Sequence, residues 1–418
     1  MKVNELYKLF QRNPNICTDT RNLKKKSIFF ALKGDKFNGN QYALKAIKQG
    51  CSYAIIDEDI YNTHQNTILV NDVIATLQEL ATYHSKRLEI PIIGITGSNG
   101  KTTSKELISS VLNSEKNCYA TKGNLNNHIG VPLSILEIRG EHEIAIIEMG
   151  ANHQKEIESL CNIANPTHGV ITNIGSAHLE GFGNLQGVIN TKKELYHAIA
   201  KNKGILFINS DDDLLLNLAD STPKITYGKT GNIKGFIQNN TPFMKVSYQE
   251  CTINSQLIGN FQFSNIMLAI CIGNYFNIST GNIRKSIENY IPTNNRSQII
   301  DTKNNTLILD AYNANPSSMR AMLLSFSEQE DLTKICILGD MLELGKGSEK
   351  EHQEIISLCE KLGLNCYYIG SEFRRITKKA FKNRKEFENK LKQKKIFNNT
   401  ILLKGSRKIG LEKLVEYL

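Results

Sequence analysis

A glycine-rich segment near residue 100 has the composition of a phosphate-binding loop. Its members, in order, are Gly97, Ser98, Asn99, Gly100, Lys101, Thr102 and Thr103. Successive N–H groups of such a loop, at the start of a helix, point to one position and bind phosphate there. We expect Lys101 to reach the outer phosphates and the Thr102 hydroxyl to hold magnesium. The standard spacing has a glycine where this chain has Ile95, and an ordinary glycine-rich strand-to-helix turn is the alternative.

The segments on either side of this loop predict the elements that position it. Residues 91–95 are apolar and mostly β-branched, which is typical of a strand buried on both faces of a parallel sheet. After Lys101, apolar residues at positions 107, 108, 111 and 112 fall on one face of a helix. Strand and helix patterns continue to alternate along residues 89–293, so we interpret this unit as a central P-loop, parallel-sheet ATPase domain.

Two side chains that follow later predicted strands are candidates for the same site. Glu148 ends the apolar run at 143–149, where a carboxylate is unusual for packing and natural for a magnesium ligand. His178 follows a second predicted strand, at 169–174. Ligands bind where the carboxyl ends of parallel strands meet, so we expect both side chains near the phosphate loop. For His178 a purely structural role is the alternative.

Two loops rich in amide side chains are candidate substrate-binding segments. The first contains Asn124, Asn126 and Asn127, and the second, at 310–316, contains Asn313 and Asn315. In each loop the amides either cap the helix that follows or donate hydrogen bonds to a ligand such as a peptide or a sugar.

The rest of the chain predicts two flanking domains. A length of 418 residues exceeds what one hydrophobic core usually organises. Residues 1–88 have the pattern of a small α/β N-terminal domain, with a predicted helix at 73–90. Residues 294–418 predict a C-terminal Rossmann-like domain, whose strands end in acid, glycine and base. The predicted fold class is therefore α/β in three domains.

Charge and composition indicate which classes of molecule the protein can bind and where it is located. The net charge of +10 comes from residues 372–418, which hold 15 Lys and Arg against 5 Asp and Glu. This segment has few aromatic residues to stack on bases, so we expect no nucleic acid; it is either a solvated face or an attractor of anionic substrates. No apolar run approaches the roughly 18 residues of a membrane span. The absence of a signal-peptide core and nine scattered cysteines without a C-x-x-C pair lead us to expect a cytoplasmic protein.

Together these motifs resemble those of the Mur ligase family of peptidoglycan-precursor synthetases, and the resemblance extends over all three units. It is carried by residues 97–103, 124–132, 148–150, 173–180, 310–316, 338–345 and 404–407. Within the family, the last three segments are similar to those of the member that adds D-alanyl-D-alanine. The Asp-Asn-Pro-Arg signature of the member that adds a diamino acid is absent from the chain.

The resemblance implies an ATP-dependent ligase that forms an amide bond through an acyl phosphate. Its substrates would be UDP-N-acetylmuramoyl-tripeptide and D-alanyl-D-alanine, and the third residue of the tripeptide, diaminopimelate or lysine, stays open. Two magnesium ions are implied, one held by Thr102 and Glu148 and a second held with help from His178. Lys192 falls where the family carries a carbamylated lysine that binds metal. The alternative is that Lys192 and Lys193 are exposed helix lysines.

The resemblance also assigns contacts with ATP and with the UDP-linked substrate. Arg296 and Asp310 would contact ATP from the third domain, and Asn265 would lie near the adenine. In the first domain, Thr20 and Arg21 occupy the place of a pair that binds the UDP-sugar peptide. The neighbouring positions 261–262 and 38–40 depart from the usual family pattern.

Since the ATP contacts lie on both sides of a domain boundary, we predict an open form without ligands and closure when ligands bind. We expect a monomer. Other readings of the same motifs are a ligase related to folylpolyglutamate synthetase, a P-loop GTPase or kinase, and a nucleotide-binding regulator without catalytic activity.

Overall fold

Three multistranded sheets follow one another along the chain in the computed structural model, which describes residues 1–329 and 333–418. The first unit has a four-stranded parallel sheet in the order β1-β2-β5-β6, and a small hairpin of β3 and β4. Its elements are α1 Val3–Arg12, β1 Asn15–Cys17, β2 Ser27–Phe30, β3 Lys33–Gly34, β4 Phe37–Asn38, α2 Ala43–Lys48, β5 Tyr53–Ile56, β6 Thr67–Leu69 and α3 Val73–Ser85.

The central unit is built on a nine-stranded sheet in the order β15-β14-β13-β12-β11-β10-β7-β9-β8. The strands from β8 to β13 are parallel, and β14 and β15 extend the edge as an antiparallel meander. The elements are β7 Ile92–Thr96, α4 Lys101–Leu112, β8 Cys118–Ala120, α5 Gly130–Leu136, β9 Ile144–Glu148, α6 Glu156–Ala164, β10 His168–Ile171, α7 Leu179–Phe182, α8 Leu185–Lys201, β11 Ile205–Asn209, α9 Asp213–Leu218, β12 Lys224–Gly228, β13 Ile233–Asn239, β14 Lys245–Tyr248, β15 Cys251–Asn254, α10 Gln262–Tyr275 and α11 Thr280–Glu288.

Strand β7 lies inside this sheet, between β10 and β9, and is buried on both faces, as its apolar sequence predicts. Ile93 and Ile95 belong to the core that contains the apolar face of α4 and the whole length of α10, whereas Ile92 belongs to the core on the opposite face. Helices on both faces are what a parallel sheet requires. The phosphate loop therefore leaves a rigid strand and enters a helix that is packed along one side.

The third unit has a five-stranded sheet in the order β16-β17-β20-β18-β19, parallel except for β16. Each of the four parallel strands lies within one residue of the position that its apolar run predicts, 306–309, 334–338, 365–369 and 400–403. The elements are β16 Gln298–Asp301, β17 Thr306–Asp310, α12 Pro316–Ser327, β18 Lys334–Gly339, α13 Ser348–Lys361, β19 Asn365–Ile369, α14 Ser371–Ile376, α15 Arg384–Gln393 and β20 Thr400–Lys404.

The first and central units share a hydrophobic core, whereas the third unit has cores of its own. One core runs from the first unit into the central unit, because Leu77 and Leu80 of α3 pack with residues of α5 and α6 such as Ile135 and Leu160. The third unit has two cores, to which Ile258 is the one buried contribution from the central unit among the described residues. The boundaries that the sequence places near residues 88 and 293 lie between sheets and stay a prediction.

Two predicted elements end earlier than expected. The helix predicted at 73–90 ends at Ser85, since Pro91 disfavours helical geometry in the residue before it and residues 86–88 form turns instead. The strand predicted at 169–174 ends at Ile171, because the next residues bond to the phosphate loop. In the part of the chain that the structure describes, no helix is long and apolar enough to cross a membrane.

Candidate active site

The phosphate loop is held in one conformation by the segment that follows β10. Gly97 has φ +147°, and a Cβ there would lie 2.0 Å from the Thr172 hydroxyl oxygen, so this position requires glycine. The N–H of Asn99 donates to the Asn173 side-chain oxygen at 3.0 Å, and its carbonyl accepts from the Asn173 amide and the Thr172 hydroxyl. The loop is therefore shaped in advance for an anion.

Positive charge is concentrated at this loop. The Lys101 ammonium donates to the Gly97 carbonyl at 2.6 Å. Burial lowers its pKa, and the charge of Arg296 lowers it further, while Glu148 acts in the opposite direction. The positive charges of Lys101 and Arg296 repel each other. A negatively charged polyphosphate that binds near both is therefore stabilised.

Glu148 lies at the end of β9, beside the first turn of α4, as the positions of the strand ends predict. Its Oε2 accepts from the Thr102 hydroxyl at 3.0 Å, and its Oε1 accepts from the Asn126 amide at 2.9 Å. The carboxylate is only 1% exposed. A carboxylate and a hydroxyl oxygen next to a phosphate site are hard donors of the kind that magnesium uses. These residues therefore fit a magnesium ion that arrives with phosphates.

His178 lines the same cavity but has its contact in the third domain. Its Nδ1 lies 2.5 Å from Oε2 of Glu343, and the histidine contact lowers the pKa of the Glu343 carboxyl. Among the described residues, no group of three or more His, Cys, Asp and Glu side chains is arranged to hold a metal. The second metal position, with His178 beside it, stays a prediction.

Lys192 points into the protein from α8 and is 2% exposed. Burial lowers the pKa of its ammonium to about 7, and the charge of Lys101 contributes in the same direction. Its nitrogen lies 5.7 Å from the centre of the Phe182 ring. Lys193 turns the other way and pairs with Asp220 at 3.2 Å. The alternative of two exposed helix lysines is therefore wrong for Lys192.

The third domain presents a cation and an acid to the cavity. The Arg296 guanidinium stacks on Tyr312, with Cζ 3.7 Å from the ring centre, and its buried Nε has no hydrogen-bond partner among the described residues. Asp310 is already paired, because Lys404 donates to it at 2.5 Å and the Ser297 N–H at 3.2 Å. Of these two residues, Arg296 is the one that retains a free donor for an anion.

Direct contacts join the third domain to the phosphate loop. The Asn99 amide donates to the Ser317 hydroxyl at 2.8 Å, and the Asn315 amide donates to the Asn99 side-chain oxygen at 2.8 Å. A cavity of about 760 Å³ lies between the two domains and is lined by residues of both, including Lys101, Glu148 and Arg296. The structure is thus a closed arrangement, and the open form stays a prediction.

Comparisons with known proteins agree with these features. Residues 95–273 match the Mur ligase middle domain, and residues 295–407 match the Mur ligase, glutamate ligase domain. The UDP-N-acetylmuramoyl-tripeptide--D-alanyl-D-alanine ligase of Bacillus subtilis (strain 168) is 34% identical over 96% of this chain and 92% of its own length. The Haemophilus influenzae protein of the same name is 33% identical over the same shares. The chain belongs to the Mur ligase family.

Solved structures of this family superimpose on nearly the whole chain. MurF from Acinetobacter baumannii is 28% identical with a TM-score of 0.85, over 98% of this chain and 97% of that one. MurF ligase from Thermotoga maritima in complex with ADP shares the fold at 24% identity, with a TM-score of 0.85 over the same shares. The predicted family, the α/β fold and the class of ATP-dependent ligase are confirmed.

The amide loops of this Mur ligase combine capping with placement at the cavity. Asn127 accepts from the N–H groups of Ile129 and Gly130 at the start of α5, whereas Asn126 bonds Glu148. Asn315 caps α12 while it also bonds Asn99. The exposed Asn313 lines the cavity, as do Asn126, Asn127 and Asn315. Asn124 is exposed and does not line it.

Asn265, assigned by resemblance to the adenine region, lies under the phosphate loop. Its side-chain oxygen accepts from the Ser104 hydroxyl at 3.0 Å, and its amide donates to Gln262 at 2.7 Å. A Cβ on Gly100 would lie 2.9 Å from that oxygen. Asn265 therefore supports the start of α4 of this ligase, next to the cavity-lining Phe261 and Gln262.

The candidate residues of the first domain do not join the cavity. Arg21 is largely exposed, and its guanidinium pairs with Asp19 at 2.7 Å, which holds the pKa of that carboxyl at about 2. Thr20 lies in the same short 3-10 turn, and neither residue lines the cavity. Asn40 is buried and bonds Asp57. In this family member, Arg21 and Asn40 thus make their contacts within the first domain.

Two contributors to the site escaped the sequence analysis. Glu343 lies in segment 338–345, which contributes to the family resemblance. Nothing in that segment indicates that Glu343 contacts His178 of the central unit. Lys105 follows Lys101 by one helical turn on the buried face of α4, and its ammonium lies 3.6 Å from Glu148. A lysine at a position where the helix pattern requires burial was the signal that could have revealed it.

Proposed function

We propose that this enzyme joins D-alanyl-D-alanine to UDP-N-acetylmuramoyl-tripeptide with ATP, the last cytoplasmic peptide addition in peptidoglycan precursor synthesis. The observation that carries the ligase chemistry is the contact of Asn99 with Ser317 and Asn315, because it puts the phosphate loop and the third domain around one cavity. Support for the substrate pair comes from relatives of that name over more than nine-tenths of both chains. A diaminopimelate-adding sister superimposes less well, with a TM-score of 0.54.

The reaction needs a carboxylate to become an electrophile. A carboxylate oxygen of the tripeptide attacks the γ-phosphorus of ATP, the bond to ADP breaks, and an acyl phosphate forms. The amine of D-alanyl-D-alanine then attacks the acyl carbon, phosphate leaves and the amine loses a proton. Lys101 and Arg296 face the transferring phosphoryl group and offset its charge. Lys101 must exchange its bond to the Gly97 carbonyl for a phosphate oxygen.

Thr102 and Glu148 are the proposed holders of one magnesium ion, and His178 and Lys192 of a second. Magnesium, when bound, supplies charge neutralisation to the phosphates. Lys192 fits carbamylation, since a pKa near 7 leaves much of its amine neutral at physiological pH and only the neutral amine attacks carbon dioxide. The bond formed is N–C, one proton leaves, and the product is an anionic oxygen donor beside Lys101.

Substrate contacts follow the domains. We assign the UDP-sugar peptide to residues 1–88 with Thr20 and Arg21, and ATP to 89–293 with Asn265 beneath the phosphate loop. Residues 294–418 complete the ligase site with Arg296 and Asp310. The carboxylate of the tripeptide and the amine of D-alanyl-D-alanine would meet in the cavity between the asparagine loops. Those loops contribute Asn126, Asn127, Asn313 and Asn315 to the cavity, and Asn124 lies in the same loop outside it. We further propose a cytoplasmic monomer that serves cell wall biogenesis, and through it cell shape and division.

The deciding experiment measures phosphate release from ATP by the purified chain with magnesium, UDP-N-acetylmuramoyl-tripeptide and D-alanyl-D-alanine, omitting each in turn. We expect release that requires every component and a UDP-N-acetylmuramoyl-pentapeptide by mass analysis. Release with a different carboxylate and amine would keep the ligase and overturn the substrates. No release with any pair would favour the nucleotide-binding regulator. Parallel assays with lysine and diaminopimelate tripeptides identify the third residue.

A further inference from the structure

Lys105 is a buried lysine that the proposed reaction does not use. It is 3% exposed and does not line the cavity. Its ammonium donates to the carbonyls of Thr121 at 2.7 Å and Gly123 at 3.2 Å, and lies 3.6 Å from Oε2 of Glu148. A buried ammonium is costly unless it is bonded and paired with opposite charge. The pairing with Glu148 therefore accounts for its position.

The same contacts place a donor or a cation at each oxygen of Glu148. Thr102 and Lys105 face one carboxylate oxygen, and Asn126 faces the other. A divalent cation that binds Glu148 has to approach the Lys105 ammonium, which lies 3.6 Å from Oε2 of that carboxylate. At such spacing, in a site shielded from water, the repulsion between the two cations is large.

We propose that Lys105 is a positioning residue that acts as a built-in counter-ion of Glu148 and keeps this carboxylate from capturing a divalent metal until a nucleotide arrives. The nucleotide phosphates bring the negative charge that offsets Lys105. Metal and nucleotide then bind cooperatively, each raising the affinity of the other. The inference rests on the proposed function, because it takes Glu148 to be a magnesium ligand.

The two carbonyl contacts of Lys105 also connect α4 to the asparagine loop. Thr121 and Gly123 immediately precede the loop that carries Asn126, and the Thr121 hydroxyl oxygen accepts from the Glu148 N–H at 3.0 Å. One lysine thus joins the phosphate-loop helix, the metal-binding carboxylate and the asparagine loop. An arginine at this position keeps the charge, whereas a methionine keeps most of the volume and removes it.

The test measures Mn²⁺ binding to the nucleotide-free full chain by electron paramagnetic resonance. We expect Lys105→Met to bind Mn²⁺ at least about tenfold more tightly than the unmodified protein, and Lys105→Arg to match the unmodified protein. Lys116→Met is the matched control, since Lys116 faces Glu143 at 3.8 Å on the surface beyond α4. A non-hydrolysable ATP analogue should reduce the difference between Lys105→Met and the unmodified protein.

Equal Mn²⁺ affinity of Lys105→Met and the unmodified protein without nucleotide overturns the proposal. If Lys105→Met does not fold, the double variant Lys105→Met/Glu148→Gln decides, because removing both members of a buried pair costs far less than removing one. A double variant that melts near the unmodified protein supports the pairing, and one that stays unfolded overturns it. No measurement here uses peptide or dipeptide, so failure of the proposed substrates leaves the test intact.

Discussion

The crevice around the phosphate loop and the polar cluster of the first domain differ in how their side chains are held. In the crevice, Asn99 bonds Asn315, 216 positions away, and Thr102 bonds Glu148, 46 positions away. In the first domain, Arg21 bonds Asp19, two positions away. Long-range bonds between chemistry-bearing side chains exist because the fold brings the ends of strands together. Local bonds form in any turn, so they carry much less information about a ligand.

The largest effect that would sharpen this comparison is expected at Lys101. Replacing it with methionine removes the cation that faces the transferring phosphoryl group, so kcat should fall by about 10³-fold or more. The melting temperature should not fall, because burial already disfavours the ammonium. Steady-state phosphate release and a thermal melt check both results, with Lys116→Met as control. A kcat within about tenfold of the unmodified enzyme would contradict the assigned role.

The next largest effect is expected at Lys192, where Lys192→Ala should lower kcat by about 10²-fold. A short carboxylate such as acetate should restore part of the activity, because it replaces the oxygen donor. Lys193→Ala is the control, since Lys193 pairs with Asp220 at the surface. Loss without rescue, together with normal activity in carbon dioxide-free buffer, would argue against carbamylation.

Lys192 also predicts a pH dependence of stability. Its folded pKa of about 7 lies below the ordinary value of 10.5, so between these values the unfolded chain binds more protons than the folded one. In carbon dioxide-free buffer the free energy of unfolding should therefore rise with pH from about 7 toward 10.5. Lys192→Met should be more stable than the unmodified protein near pH 7 and should show a weaker rise. Thermal melts across this pH range would test it, and identical profiles would count against the buried, neutral amine.

Ser317→Ala is expected to have a smaller effect, a drop of about tenfold or less in kcat/KM for ATP. It removes the hydroxyl that accepts from Asn99, while the Asn315 cap of α12 is retained. Ser318→Ala is the matched control, because Ser318 belongs to the capping box of α12 and, among the described residues, bonds Asn315 rather than the phosphate loop. Equal effects of the two variants would show that the cross-domain bond is not specific to the site.

Arg21→Ala should have the smallest effect, a rise in KM for the UDP-linked substrate of up to about fivefold with kcat unchanged. An exposed arginine that already pairs with Asp19 gains little from a further ionic contact. Lys24→Ala, at a nearby exposed position, is the control. If both variants behave like the unmodified enzyme, the first-domain cluster is a turn and the substrate binds elsewhere.

The sequence predicted the elements whose formation depends on hydrophobic periodicity and on the geometry of a parallel sheet. An apolar β-branched run followed by glycines and a helical apolar face defined β7, the phosphate loop and α4, and the rule for strand ends placed Glu148 beside them. The buried orientation of Lys192 agrees with the resemblance. Those predictions succeed because they depend on periodicity and on sheet geometry, which any strand-loop-helix unit shares.

What the sequence could not predict depends on partners far along the chain. The contact of His178 is with Glu343, and the hydroxyl that bonds Asn265 belongs to Ser104, 161 positions away. Neither partner follows from a local pattern. The antiparallel strands β14 and β15 were missed for a different reason, since an edge extension is specified by its pairing with β13 rather than by its own composition.

The unequal division of the hydrophobic core has an evolutionary consequence. The first and central units share one core through α3, so a foreign first domain would have to reproduce the surface that α5 and α6 present. The third unit packs mainly on itself and is joined through residues 294–297, where Asn294, Asn295 and Ser297 all have positive φ. Recombination can therefore replace the third unit more readily than the first.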